Sequence, residues 1–205
     1  MIVPKVLAGY RDVVRSEITT AALKVFSEKG YHEARMEDIA EAAKLSKPTL
    51  YEYVNSKEEL LKIISETAQK ATEDSLAQQG RDPMETLERN YQALVKARDT
   101  LHLGFEVTSM SSHDVTIRKL NRDVYEGKLK ALTVFLRNHQ SRGTIGKDVD
   151  PNLAAHLLAA IYTDVSTQLI MGYDEAIVYH YWSRAVSTAL GFGANGKTNF
   201  KEGRR

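Results

Sequence analysis

The chain contains no cysteine. Disulfides and thiolate metal sites are therefore excluded, and nothing points to an oxidising compartment. The N-terminus lacks a basic-then-apolar signal pattern. No run of about 18 or more apolar residues is present, so no membrane span is expected. A soluble cytoplasmic protein is the expectation. An excess of one charge is missing too: 28 Lys and Arg stand against 27 Asp and Glu. Neither a strand-like alternation nor an internal repeat appears. The six histidines, His32, His102, His113, His139, His156 and His180, never pair at i, i+3 or i+4. Asp99 and His102 form one lone metal-like spacing, whereas a helical di-metal site needs two such motifs with glutamates. No metal or cofactor is expected. No Ser-His-Asp order and no Gly-rich phosphate loop stands out, which leaves an all-helical enzyme as a minor alternative.

What is present is concentrated between Ile39 and Leu61, IAEAAKLSKPTLYEYVNSKEELL. Ile39, Ala40 and Ala43 mark one short helix face. Lys44-Leu45-Ser46 reads as a tight turn, and Lys47 to Tyr53 as a second helix. Ser46 suits the N-cap, because its hydroxyl can accept from the orphan N–H groups of the next turn. Pro48 falls in the first turn, where a missing N–H costs nothing. Leu45 and Leu50 face inward. Ser56 and Glu59 have capping-box spacing and open a long third element. Upstream, Ile18, Ala21, Ala22, Val25 and Phe26 recur at helical spacing until Gly30 stops the helix. A further helix is expected from Met36 to Ala43. The outward face of the second short helix carries Lys47, Thr49, Tyr51 and Tyr53, donors suited to phosphates and base edges. This is the layout of a helix-turn-helix, whose second helix enters the DNA major groove.

The segment resembles the TetR family of bacterial transcriptional repressors. The matching residues are Ile18 to Phe26, Lys29-Gly30-Tyr31, Ile39 to Ala43, Leu45 to Tyr53 and Ser56 to Leu60. The resemblance covers roughly residues 11–62; the rest is similar only in helical character and length. It implies an all-α fold: an N-terminal three-helix helix-turn-helix head over residues 1–56, then a helical ligand-binding and dimerisation domain over residues 57–190. It also implies a repressor released from a double-stranded operator by a small-molecule effector; an activator of the same architecture is the alternative. Three departures from the family pattern stand out. Lys44 stands where a left-handed turn usually has Gly. Ala34 and Arg35 stand where a hydroxyl often caps the second helix, so Arg35 would offer a charged phosphate contact instead. Val54 stands where an aromatic commonly follows the recognition helix.

The expected DNA contacts are Arg35, Lys44, Lys47, Pro48, Thr49, Tyr51, Tyr53 and Lys57. Between Met1 and Leu60 there are nine Lys or Arg and ten Asp or Glu. DNA binding must therefore rest on local placement of cations, with Lys44, Lys47 and Lys57 around the recognition helix. Arg11 and Arg15 admit two readings, a contact to the DNA backbone or minor groove and a solvated helix face.

Residues 57–190 read as helices throughout. Asp82-Pro83 and Asp150-Pro151 open two of them, and Asp174 caps a last one. A less regular stretch is expected around Gly104 and 109–112, before a long amphipathic helix from Asp114 to about Gln140. Residues 191–205 are Gly-rich and polar, and a disordered tail is expected. The last two helices, at 150–171 and 174–190, are unusually apolar. Leu153, Leu157, Ile161, Val165 and Leu169 form one stripe; Ile177, Tyr181, Ala185 and Thr188 form another. Packing within the monomer would use them, but a homodimer through this pair is favoured, since a helix-turn-helix generally reads a two-fold site. Tyr91, His102, Phe105, His113, Tyr125 and Tyr162 are candidates to line a ligand pocket between helices, as are Met110 and Trp182. Spacing does not separate that role from ordinary packing.

Overall fold

The computed structural model describes residues 8–78, 80 and 82–192. Among them every regular element is helical, with an isolated bridge residue at Phe192. The head is α1 (Ala8–Lys29), α2 (Met36–Ala42) and α3 (Lys47–Tyr51). Then follow α4 (Lys57–Ala77), α5 (Pro83–Lys96), a 3-10 turn at Arg98–Thr100, α6 (Leu101–Met110), α7 (Val115–Ser141), α8 (Pro151–Ile170) and α9 (Glu175–Ala189). The caps expected from sequence are made. Asp82 accepts from Met84 N–H, Asp150 from Asn152 and Leu153 N–H, and Asp174 from Ala176 and Ile177 N–H. The tail expected at 191–205 lies, from residue 193 on, outside the described residues.

One element differs from expectation. The stretch around Gly104 is not irregular: Leu101–Met110 is an α-helix. Gly104, Thr108 and Ser109 are weak helix formers, so its local signal is faint. Tertiary burial of Leu103 and Val107, one turn apart, holds it in place.

The chain divides into two compact units. The first runs up to Ala68 and includes His102–Asn121; the second holds Gln69–Leu101 and the residues from Arg122 on. The first unit is built on Ile18, Phe26, Ile39, Leu50, Leu60 and Leu61, all fully buried, joined by Leu103, Val107 and Ile117. Each such side chain stabilises the folded state by roughly 1.5–3 kcal/mol relative to exposure. The second unit packs Leu76, Leu87, Tyr91, Leu132, Phe135, Leu136, Leu158 and Trp182, with α8 lying along α9.

Helix α8 carries two apolar faces. Ala154, Ala155, Leu158, Ala159 and Val165 are buried in the unit, whereas Leu153 and Leu157 are exposed. With a mean hydropathy of 1.2 over 18 residues, it is long and apolar enough to cross a membrane by length and composition alone. Core helices of soluble proteins meet the same test. His156 and Asp164 interrupt α8, so it holds no unbroken run of about 18 apolar residues.

Candidate nucleic-acid interface

Residues 40–50 form a tight corner between α2 and α3. Leu45 N–H donates to Ala40 C=O at 2.9 Å and Lys44 N–H to Glu41 C=O at 3.0 Å. These two bonds close the end of α2 as a Schellman motif. The motif requires a left-handed residue, and Lys44 supplies it at φ 56°. Ser46 then caps α3: its Oγ accepts from Thr49 N–H at 3.2 Å and lies 2.8 Å from Thr49 Oγ1. Leu50 is fully buried beneath the helix and Leu45 packs on the same core.

This geometry leaves Lys44, Lys47, Pro48 and Tyr51 exposed on one short segment, and Thr49 half-buried. Lys47 is not free: its ammonium binds Glu37, in the first turn of α2. That hydrogen bond raises the lysine pKa and lowers the carboxylate's. Tyr53 lies beyond the end of α3, where it packs against the head core under the guanidinium of Arg11. It is therefore less available than an outward-facing position implies. Arg35 is exposed before α2, and its N–H donates to Asp38 at 2.9 Å. Arg11 Nη2 donates to Glu52 C=O at 3.2 Å, and Arg15 pairs with Glu59 at 3.2 Å. Both arginines thus tie α1 to the segment that follows α3.

Lys57 has a role that its spacing concealed. Its ammonium donates to the carbonyls of Tyr31 and His32 at 2.7 and 3.0 Å and lies 4.8 Å from the Tyr31 ring centroid. From the other side, both carboxylate oxygens of Glu106 on α6 accept from Tyr31 N–H at 3.0 Å. His32 N–H reaches the same carboxylate at 3.4 Å. The turn after Gly30, itself at φ 79°, is thus gripped through its N–H groups and its C=O groups at once. Burial, then the charge of Glu58, pushes the Tyr31 hydroxyl far above its ordinary pKa. Sequence reasoning missed Glu37 and Glu106, because neither spacing nor composition marks a carboxylate whose partner is ten or 75 residues away.

The capping box at α4 is half as expected. Glu59 N–H donates to Ser56 Oγ at 3.2 Å. The Glu59 carboxylate, however, accepts from Asn55 N–H at 2.8 Å, one residue before the Ser56 N–H it was expected to reach. That bond, the largest cause, holds Glu59 below the usual carboxylate range.

The pocket candidates fall in both units. His102, Phe105 and His113 belong to the first, with Phe105 and His113 exposed. Tyr91, Tyr125 and Tyr162 belong to the second, with Tyr125 exposed. Tyr91 and Tyr162 meet in an aromatic cluster centred on Trp182, at 4.6 and 6.4 Å between ring centroids. The Tyr162 hydroxyl donates to Leu87 C=O at 2.6 Å, so it acts there as a structural bond between α8 and α5. Among the described residues no cluster of three His, Asp or Glu side chains has metal-binding geometry.

On α8 and α9 a groove of about 290 Å³ opens to the surface. It is lined by Ala160, Ile161, Asp164, Gln168, Tyr181 and Trp182, among others. On the same two helices and the turn between them, Leu153, Leu157, Ile170, Met171, Tyr173, Ile177 and Tyr181 are exposed.

Residues 18–64 match the sequence signature of bacterial regulatory proteins of the tetR family. Over 157 residues the chain is 27% identical to the HTH-type transcriptional repressor DhaR of Mycobacterium sp. strain GP1, spanning 73% of this chain and 79% of that protein. Over 50 residues it is 48% identical to the HTH-type transcriptional activator FasR of Mycolicibacterium smegmatis, 24% of this chain and 23% of that one. The fold is also similar to the transcriptional regulator FadR of Bacillus subtilis, solved in complex with stearoyl-CoA. That likeness has a TM-score of 0.68 and 18% identity, covering 85% of this chain and 97% of the other.

Proposed function

The chain belongs to the tetR family of bacterial regulatory proteins, and from that premise we propose a homodimeric repressor that leaves a palindromic operator when a small molecule binds. DNA-binding transcriptional regulation is common to the whole family. Repression is favoured because the relative matched over most of the chain is a repressor, whereas the activator is matched over the head alone. The effector site belongs to the helical body. The fold neighbour FadR binds an acyl-CoA in its own structure, which supports a small-molecule role for such a body without fixing the ligand here. The site of action is the cytoplasm, where the DNA is.

The observation that carries the dimer is the second apolar face of α8. Leu153 and Leu157 are 59% and 44% exposed, and Ile177 and Tyr181 on α9 are 51% and 63% exposed. Water-soluble monomers rarely leave large apolar side chains uncovered along two neighbouring helices without a use for them. A second copy related by a two-fold axis would cover it, with the same residues meeting on both sides. Two heads would then read half-sites about 34–36 Å apart, one helical turn of DNA. DNA contacts are proposed at Arg35, Lys44, Lys47, Pro48, Thr49 and Tyr51, with Tyr53 and Lys57 acting first as packing and anchoring residues. The turn held by Lys57 and Glu106 supports a route by which a change at α6 would reach the head.

Light scattering with and without operator DNA tests this. The expected result is a dimer at micromolar concentration that binds one operator per dimer. A chain that stays monomeric, free and on DNA, removes the interface and the two-fold operator together.

A further inference from the structure

Most cations of the head are already engaged inside the protein. Arg15 pairs with Glu59 and Lys29 with Asp38, at 3.2 and 2.8 Å. Arg11 is taken by a carbonyl and a ring, and Lys57 by two carbonyls. These contacts tie helices together. The pair between Lys47 and Glu37 also bridges two helices, α3 and α2, but it is the more exposed. Both side chains are more than half exposed, at 52% and 55%. A pair so exposed stabilises the fold little. The neighbouring Asp38 already closes the start of α2, by accepting from Arg35 N–H, and binds Lys29. Glu37 does neither. It holds the lysine that leads α3, at the end of the recognition helix that enters the groove.

A phosphate approaching Lys47 meets a carboxylate already bound there. A phosphate that reaches the ammonium displaces Glu37 or shares the lysine with it, since an ammonium has three N–H donors; the first costs the ion pair, and in either case the carboxylate faces the polyanion. Both effects oppose binding. We propose that Glu37 restrains DNA affinity by holding Lys47 in an internal ion pair, so that binding is weaker and less salt-dependent than the cations of the head imply. This rests on the reading of Lys47 as a DNA contact.

The test uses the full chain and a labelled duplex of arbitrary sequence, titrated by fluorescence anisotropy across a range of salt concentrations. Glu37→Gln is expected to tighten binding about three- to fivefold, the effect of one charge near a phosphate in water. It should steepen the slope of log K against log salt by ~0.9, one added phosphate contact. Glu41 is the control: it is exposed on the same helix and has no side-chain partner among the described residues. Glu41→Gln should leave the slope unchanged. Equal gains from the two variants would overturn the proposal, since any lost anion would then suffice. Weaker binding by Glu37→Gln would also overturn it, because Glu37 would then orient Lys47 or accept from a base. Adding Lys47→Ala to Glu37→Gln should abolish the gain. A gain that survives takes Lys47 off the DNA, and the contact reading fails with the restraint.

Discussion

At Lys44 the backbone sits at φ 56°, where a Cβ crowds the following carbonyl at a cost of roughly 1–2 kcal/mol for a non-glycine residue. The Schellman bonds of Leu45 and Lys44 hold it there. Glycine would relieve the strain but lose more entropy on folding. Lys44→Gly is therefore expected to stabilise the protein by about 1 kcal/mol, a rise in Tm of about 2–4 °C for a chain of this size. Lys44→Ala keeps the strain and should not stabilise. If Lys44 meets a phosphate, both variants should weaken DNA binding equally, with the salt slope lowered by ~0.9. Thermal melts that rank glycine no higher than alanine would show that the left-handed turn costs nothing.

Among the elements, the turn between α1 and α2 is held most elaborately. Glu106 takes its N–H groups and Lys57 its C=O groups. Glu106→Ala would strand the N–H of buried Tyr31, at a cost of roughly 1–3 kcal/mol. Glu106→Gln, which keeps a carbonyl acceptor, should lose less. Urea unfolding measures the difference, and faster hydrogen exchange at the Tyr31 amide would locate it; equal stability for both variants would show the carboxylate to be dispensable. This arrangement also shows what the sequence could tell. Apolar spacing, Ser46, Pro48, Gly30 and the Asp caps marked the helices of the head and most of the body, because those signals are local. α6 escaped because Gly104 and Thr108 weaken it locally and its burial comes from residues far along the chain. The engagement of Lys47 and Lys57 escaped for a related reason: a lysine's spacing says where its Cα lies, whereas its partner is set by the tertiary fold. The apolar stripe of α8 was legible only in part: Leu153 and Leu157 are exposed, as are Ile177 and Tyr181 on α9, whereas Val165 is buried in the unit's own core with Ile161 and Leu169 packed against it.

For the whole molecule, that stripe has a direct consequence. Ile161 lies in the groove beside Tyr181 and Trp182. Ile161→Glu would place a charge without a partner in the proposed interface, which costs several kcal/mol when buried. The expected outcome is a folded monomer by light scattering and circular dichroism, with operator binding lost. A variant that remains dimeric moves the interface away from α8 and α9. The first unit has a consequence of a different kind. Its core draws on Leu103, Val107 and Ile117 as well as on residues before Leu61. The DNA-binding end of the chain is thus made first and finished late. At synthesis rates of about 5–20 residues per second, some 55 further residues keep a nascent head waiting roughly 3–11 s for its last core side chains. Until Ile117 has been added, a ribosome-bound chain has the complete sequence of a helix-turn-helix without the complete interior that steadies it.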